Sequence, residues 1–211
     1  MINNFNILKP FITFDSPSDF YFLQILKRRK DNPGQTGDVQ VIHNYFIYSV
    51  EQYESLEEKV IKLCTDNNAR AYLRLNKRDD YKIGLQALRK SAQLLADGNH
   101  KAIKNVYESV CGEFHHDPLK KWIVDIDNEN KLKDMIKEQA GIQNPSQFYE
   151  NCMKETFEKL DTIEPIGPKI LGKIPTKNGY HLITKPFNST NIPELMFFDI
   201  HKDNPTVLFC L

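Results

Sequence analysis

The chain of 211 residues carries 28 Lys+Arg against 28 Asp+Glu, a formal net charge of zero, with 40% hydrophobic and 27% charged residues. This is the composition of an ordinary globular protein of one domain, or of two small lobes sharing a core. It excludes a general electrostatic pull toward nucleic acid or membrane, so any basic surface must be local. The N-terminus MINNFNILKPF lacks the basic start and apolar run of a signal peptide, and no apolar stretch approaches the roughly 20 residues that span a bilayer. A soluble, cytoplasmic protein without a membrane partner is therefore expected. Cys64, Cys111, Cys152 and Cys210 are far apart and form no C-x-x-C pair, which reads as buried thiols rather than a zinc site or a disulfide framework.

In chain order, SPSDFYFLQILKRRK opens with a cap-like Ser16 and has apolar residues at helical spacing, so a helix is expected. DNPGQTGD (31–38) is a loop, and the only linker-like piece. HNYFIYSV reads as a strand, and VEQYESLEEKVIKLCTD as a helix with Tyr53, Leu56, Val60, Ile61 and Cys64 on one face. ARAYLRLNKR alternates apolar Ala71, Leu73 and Leu75 with Arg70, Tyr72 and Arg74, which predicts a strand with one polar face. Two or three helices follow, from about Asp80 to Cys111. The second half begins with a strand at WIVDID and continues with helices at about Asn128–Gln139 and Pro145–Leu160, the latter capped by NPSQ. GPKILGKIPT, GYHLIT and ELMFFDI read as strands, and HKDNP as a turn into a last strand, TVLFC. The fold class is α+β: an N-terminal α/β lobe over 1–115 and a second sheet with flanking helices over 116–211.

The stretch WIVDID sets two carboxylates, Asp125 and Asp127, two apart on a strand. Side chains alternate faces along a strand, so both acids share a face. Two ionised carboxylates side by side repel, and burial makes this worse. A positive group is expected opposite: a Lys or Arg, a ring of backbone N–H groups, or a divalent cation. A third acid, Asp199, ends the apolar run LMFFD. Three carboxylates converging from neighbouring strands make an oxygen-rich site suited to Mg²⁺ or Mn²⁺, of the kind that supports phosphoryl or nucleotidyl transfer. The plainer reading makes Asp125 and Asp127 structural partners of Lys120, Lys121 or an arginine.

In IPTKNGYHLITKPF a short turn, Thr176, Lys177, Asn178 and Gly179, feeds a strand whose second residue is His181, with Lys185 on the same face. Such a turn can present backbone N–H groups to an anion, and glycine permits close approach. The same segment is also a plain Asn-Gly hairpin.

Taken in order, VDID, TKNGYHL and FFDIHKDNPTVLF resemble the three motifs of the archaeo-eukaryotic primase superfamily, which includes the primase–polymerases of phages and plasmids. The resemblance covers Trp122 to Leu211. It implies Asp125, Asp127 and Asp199 as catalytic metal carboxylates and His181 as a contact to the incoming nucleotide's phosphates. Thr176, Lys177, Asn178 and Gly179 would lie beside it, with Lys185 helping to orient the triphosphate. Position 179 is Gly where the stricter motif has Ser, as in phage-type versions. The family pairs an N-terminal α/β lobe with a C-terminal sheet of the RNA-recognition-motif type, and on this resemblance Arg70, Arg74, Lys77 and Arg78 would stand near the triphosphate or template. The implied function is DNA-replicative nucleotidyl transfer by a primase or primase–polymerase, with Mg²⁺ or Mn²⁺ as cofactor. The implied partners are nucleoside triphosphates, a single-stranded DNA template, and a helicase or other replication protein. Two alternatives remain open: a non-catalytic nucleic-acid-binding accessory using Leu26–Lys30 and Arg70–Arg78 for phosphate contacts, and a metal-dependent nuclease.

Overall fold

The computed structural model describes residues 1–115, 117–127, 144–190 and 199–211. In chain order the elements are β1 (Ile2–Asn3), α1 (Phe5–Leu8), β2 (Asp19–Arg28), β3 (Val39–Ile47), α2 (Val50–Ser55), α3 (Glu57–Asn67), β4 (Arg70–Leu73), β5 (Arg78–Asp79), α4 (Asp80–Ala96) and α5 (Val106–Glu113). They continue with β6 (Trp122–Asp127), α6 (Pro145–Thr162), β7 (Ile170–Pro175), β8 (Gly179–Thr184), β9 (Asp199–His201) and β10 (Thr206–Cys210). The fold is mixed α+β, and the chain forms two compact units. The first comprises Met1–Leu119 and Pro205–Leu211, the second Lys120–Asn204. Among the described residues no helix is long and apolar enough to cross a membrane.

The first unit is built on an antiparallel sheet of order β1-β10-β4-β2-β3, with β5 pairing the start of β2. The segment expected as a helix from Ser16 onward is instead the interior strand β2, paired with β3, β4 and β5. Its apolar residues do not alternate with polar ones because both of its faces are covered. Phe20 and Phe22 pack with Ile83, Val106, Val110 and Cys111 of the helical side, while Tyr21, Leu23 and Ile25 are buried on the opposite face, the register alternating residue by residue along β3. The cap-like serine belongs to a loop: the Asp19 carboxylate accepts the N–H groups of Asp15 (2.8 Å) and Ser16 (3.1 Å). The expected helix from Val50 forms, but as two pieces, α2 and α3, with Leu56 between them. Ser49 caps the first by accepting the Gln52 N–H at 3.1 Å. Asn68 ends the second in the left-handed region, φ 46°, where Asn is among the few tolerated side chains.

Strand β4 departs from the sequence expectation in a second way. All four of its residues are buried, because it runs between β10 and β2. Its polar side chains are satisfied internally: Arg70 donates to Asp31 at 2.6 Å, and the Tyr72 hydroxyl accepts from Arg28 at 2.8 Å. Cys64, Cys111 and Cys210 are free and buried, as expected.

The second unit is a four-stranded antiparallel sheet of order β7-β8-β6-β9. Strands β6 and β7 run the same way with β8 inserted between them, and α6 lies in the connection. This is a split β-α-β arrangement. Asn144 caps α6 by accepting the Gln147 N–H at 3.2 Å, and Pro145 takes the first helical turn, as NPSQ indicates. Val124, Ile126 and Leu182 pack with Met153 and Leu160 of this helix. The chain leaves α6 through Gly167, at φ 122°. Its N–H bonds to the Asp161 carbonyl at 2.8 Å. The buried Lys169 ammonium closes this corner, donating to the carbonyls of Ile163 (3.1 Å) and Gly167 (2.7 Å). The expected helix at Asn128–Gln139 and the start of the expected strand ELMFFDI lie outside the described residues. The strand TVLFC forms as β10 but joins the sheet of the first unit, between β1 and β4.

Candidate functional site

Strand β6 explains its own sequence. Trp122, Val124 and Ile126 face α6 and its core, so the odd-numbered positions face the other way. On that second face Asp125 stands directly opposite His181 of β8 on one side and Asp199 of β9 on the other. Directly opposed residues of antiparallel strands point to one face with Cβ atoms about 4.5–5.5 Å apart. The result is a row across three strands: His181, Asp125, Asp199. The His181 Nε2 lies 3.4 Å from Asp125 Oδ1. His181 is 9% exposed, Asp125 is half-buried, and Asp199 is exposed at the end of the row. One pleat further on, position 127 is paired with Gly179, which has no side chain to occupy the space beside it. The side chain of Asp127 lies outside the described residues.

The expected turn is present. The Thr176 N–H donates to the Gly179 carbonyl at 2.9 Å, which closes the hairpin from β7 to β8. Lys177 and Asn178 are exposed at its tip, and Gly179 is extended as the first residue of β8. Thr176 Oγ1 is buried and makes no hydrogen bond among the described residues. From Gly179 to His181 is two residues, about 7 Å along a strand, so the turn and the row are neighbours. Lys185 is not part of this group. It follows the end of β8, is exposed, and lies about 13 Å along the strand direction from His181, on the side away from the turn. Its N–H is bonded to the Lys169 carbonyl at 2.8 Å.

Arg74 lies in the first unit, just beyond β4, with its N–H on the Phe22 carbonyl at 3.0 Å. A Cβ placed on Gly112 would stand 3.6 Å from its guanidinium, so the arginine lies against that helix. The neighbouring cations that were expected near phosphates are committed inside the first unit. Arg70 is paired with Asp31. The Lys77 ammonium pairs with Asp15 and with Asp19 (3.2 Å). Burial alone would lower the Lys77 pKa, but the bonds to Asp15 and Asp19 outweigh it and hold the ammonium above the usual lysine value. Arg78 is fully buried; its Nε donates to the Cys111 carbonyl at 2.9 Å and a terminal nitrogen to the Asn76 carbonyl. Asp117 accepts the Lys77 N–H at 3.2 Å. These acids went unrecognised in the sequence because the Lys77 pairs span about 60 residues, a distance no local pattern encodes.

Among the described residues no three His, Cys, Asp or Glu side chains are gathered closely enough to hold a metal ion. The row itself supplies two carboxylates and an imidazole. Hard oxygen donors on adjacent strands with one nitrogen beside them suit a divalent cation such as Mg²⁺ or Mn²⁺ in chemical type. No family model matches the chain, and none of the curated proteins or solved structures compared with it does either.

Proposed function

We propose that the chain is a metal-dependent nucleotidyltransferase of primase or primase–polymerase type. The observation that carries this reading is the register of three strands that puts His181, Asp125 and Asp199 in one row beside the Thr176–Gly179 turn. Asp125, Asp127 and Asp199 are the residues that would hold Mg²⁺ or Mn²⁺. A divalent cation bound there would activate an attacking 3′-hydroxyl and neutralise charge on the transferred phosphate. His181, with Nε2 3.4 Å from Asp125 Oδ1, would donate an imidazole N–H to a phosphate oxygen. Lys177 at the tip of the turn adds a cation four residues before His181. The substrates of this reading are nucleoside triphosphates on a single-stranded DNA template, in cytoplasmic DNA replication, alongside a helicase or other replication protein. Arg70, Lys77 and Arg78 are spent on internal partners, so neither this reading nor that of a non-catalytic nucleic-acid module draws its phosphate contacts from them.

Calorimetric titration of a nucleoside triphosphate, with and without Mg²⁺ or Mn²⁺, tests the reading. Binding is expected to need metal, since the acids otherwise repel the phosphates. Asp125→Asn and Asp199→Asn should each weaken metal-dependent binding at least tenfold and abolish template-directed incorporation, with melting little changed. Equal affinity in metal and in chelator would refute it. So would a loss of about 3–5 kcal/mol of stability in Asp125→Asn, the cost of breaking a structural buried pair.

A further inference from the structure

Helix α4 carries two apolar stripes on opposite faces. Ile83, Ala87 and Leu94 point inward and pack on Phe20 and Phe22 of the sheet. Tyr81, Leu85, Leu88, Ala92 and Leu95 recur at intervals of four, three, four and three, which at 3.6 residues per turn places them on the far side of the same helix. That second stripe is bare: Tyr81 is 71% and Leu88 70% exposed, and Leu85, Ala92 and Leu95 are exposed too. From Tyr81 to Leu95 it runs about 21 Å. Alternating four and three spacing is the seam of a helix pair, in which apolar knobs enter holes on a facing helix. Scattered surface leucines need no explanation, but a contiguous seam marks an interaction surface.

The edges of the seam select its occupant. One side carries Lys82 and Arg89, seven residues apart and both exposed, and neither has an acidic partner among the described residues. The other side carries Gly84 and Ser91. A Cβ on Gly84 would meet nothing within 4 Å, so a facing backbone can approach closely there. The helix has a single acid, Asp80, and its carboxylate already accepts the Tyr107 hydroxyl. A second copy of α4 would therefore bring no carboxylate to meet this cationic edge. We infer that this face docks an amphipathic helix of another protein whose seam is flanked by acidic residues, the charges at such edges being what sets partner choice in helix pairs. This goes beyond the nucleotidyl-transfer reading and does not depend on it.

The test uses the full chain and two synthetic three-heptad helices with leucine at the seam positions and either glutamate or lysine at the flanks, followed by fluorescence anisotropy. The glutamate helix is expected to bind at least tenfold more tightly than the lysine helix. Leu88→Glu should abolish binding at an unchanged melting temperature, since the residue is already in water. The double variant Lys82→Glu, Arg89→Glu should reverse the preference toward the lysine helix. Equal binding of both helices, or of neither, overturns the proposal. A dimer in sedimentation velocity that Leu88→Glu dissociates would make the occupant a second copy and overturn it as well. Binding to phosphatidylglycerol vesicles in place of the glutamate helix would do the same in favour of a lipid surface.

Discussion

Arg78 separates a structural cation from a phosphate-gripping one. Its side chain is fully buried in β5, with the Cys111 carbonyl on Nε at 2.9 Å and the Asn76 carbonyl on a terminal nitrogen. Replacing it with methionine keeps most of the stem's volume, so little cavity is left. What is lost is the hydrogen bonding. Each buried acceptor stripped of its donor costs about 1–3 kcal/mol, so two carbonyls give about 2–6 kcal/mol. Part of that is offset because a buried charge no longer has to be desolvated. A net loss of about 3 kcal/mol lowers the melting temperature by about 6–12 °C in a chain of this size. Thermal melting by circular dichroism reads this directly, with nucleotide and single-stranded DNA binding measured on the same preparation below the transition. If Arg78→Met melted within about 2 °C of wild type while losing DNA or nucleotide binding, the burial argument would be refuted and Arg78 would be a ligand contact.

Two further outcomes follow from the structure. Burial pushes the Cys64 and Cys111 thiols up to about 12 and raises Tyr21 and Tyr53 as well. The unfolded chain loses these protons first, so stability is fully present below about pH 8.5 and falls as pH rises toward 12; urea titrations at pH 8 and pH 10.5 giving equal stability would contradict this. Gly167 holds φ 122° where α6 turns toward β7, so Gly167→Ala should cost about 1–3 kcal/mol from backbone strain alone, and an unchanged urea midpoint would show that the corner relaxes freely.

Elements whose signals are local were legible in the sequence. The Asn144–Pro145 start of α6, the β3 strand and the hairpin at Thr176–Gly179 each announce themselves within a few residues. Strand β2 was not legible, because a strand covered on both faces loses the period of two and a run such as FYFLQIL fits a helix equally well. The polar face expected on β4 failed for a related reason: alternation reports which residues are polar, not whether Asp31 or Arg28 arrives from elsewhere to satisfy them. At the candidate site, the alternation of WIVDID shows in Trp122, Val124 and Ile126, which pack together on the covered face of β6. The neighbours across the sheet follow from pairing register, which one strand's sequence does not contain. Lys185 shares a face with His181 by parity, yet it sits too far along the strand to join it.

The position of β10 has a consequence for the order in which the molecule can be made. It lies between β1 and β4, with Ile2 opposite Cys210 and Leu73 opposite Thr206, and all five of its residues are buried. Asn4 adds to the seam by donating to the carbonyls of Leu208 and Val207. During synthesis, β1 and β4 must wait with open edges until residues 206–210 leave the ribosome, whereas residues 120–204 have by then already emerged. Pairing of such high sequence separation is slow and leaves strand edges open to other chains. The first unit, although it is mostly made first, is the last to be completed.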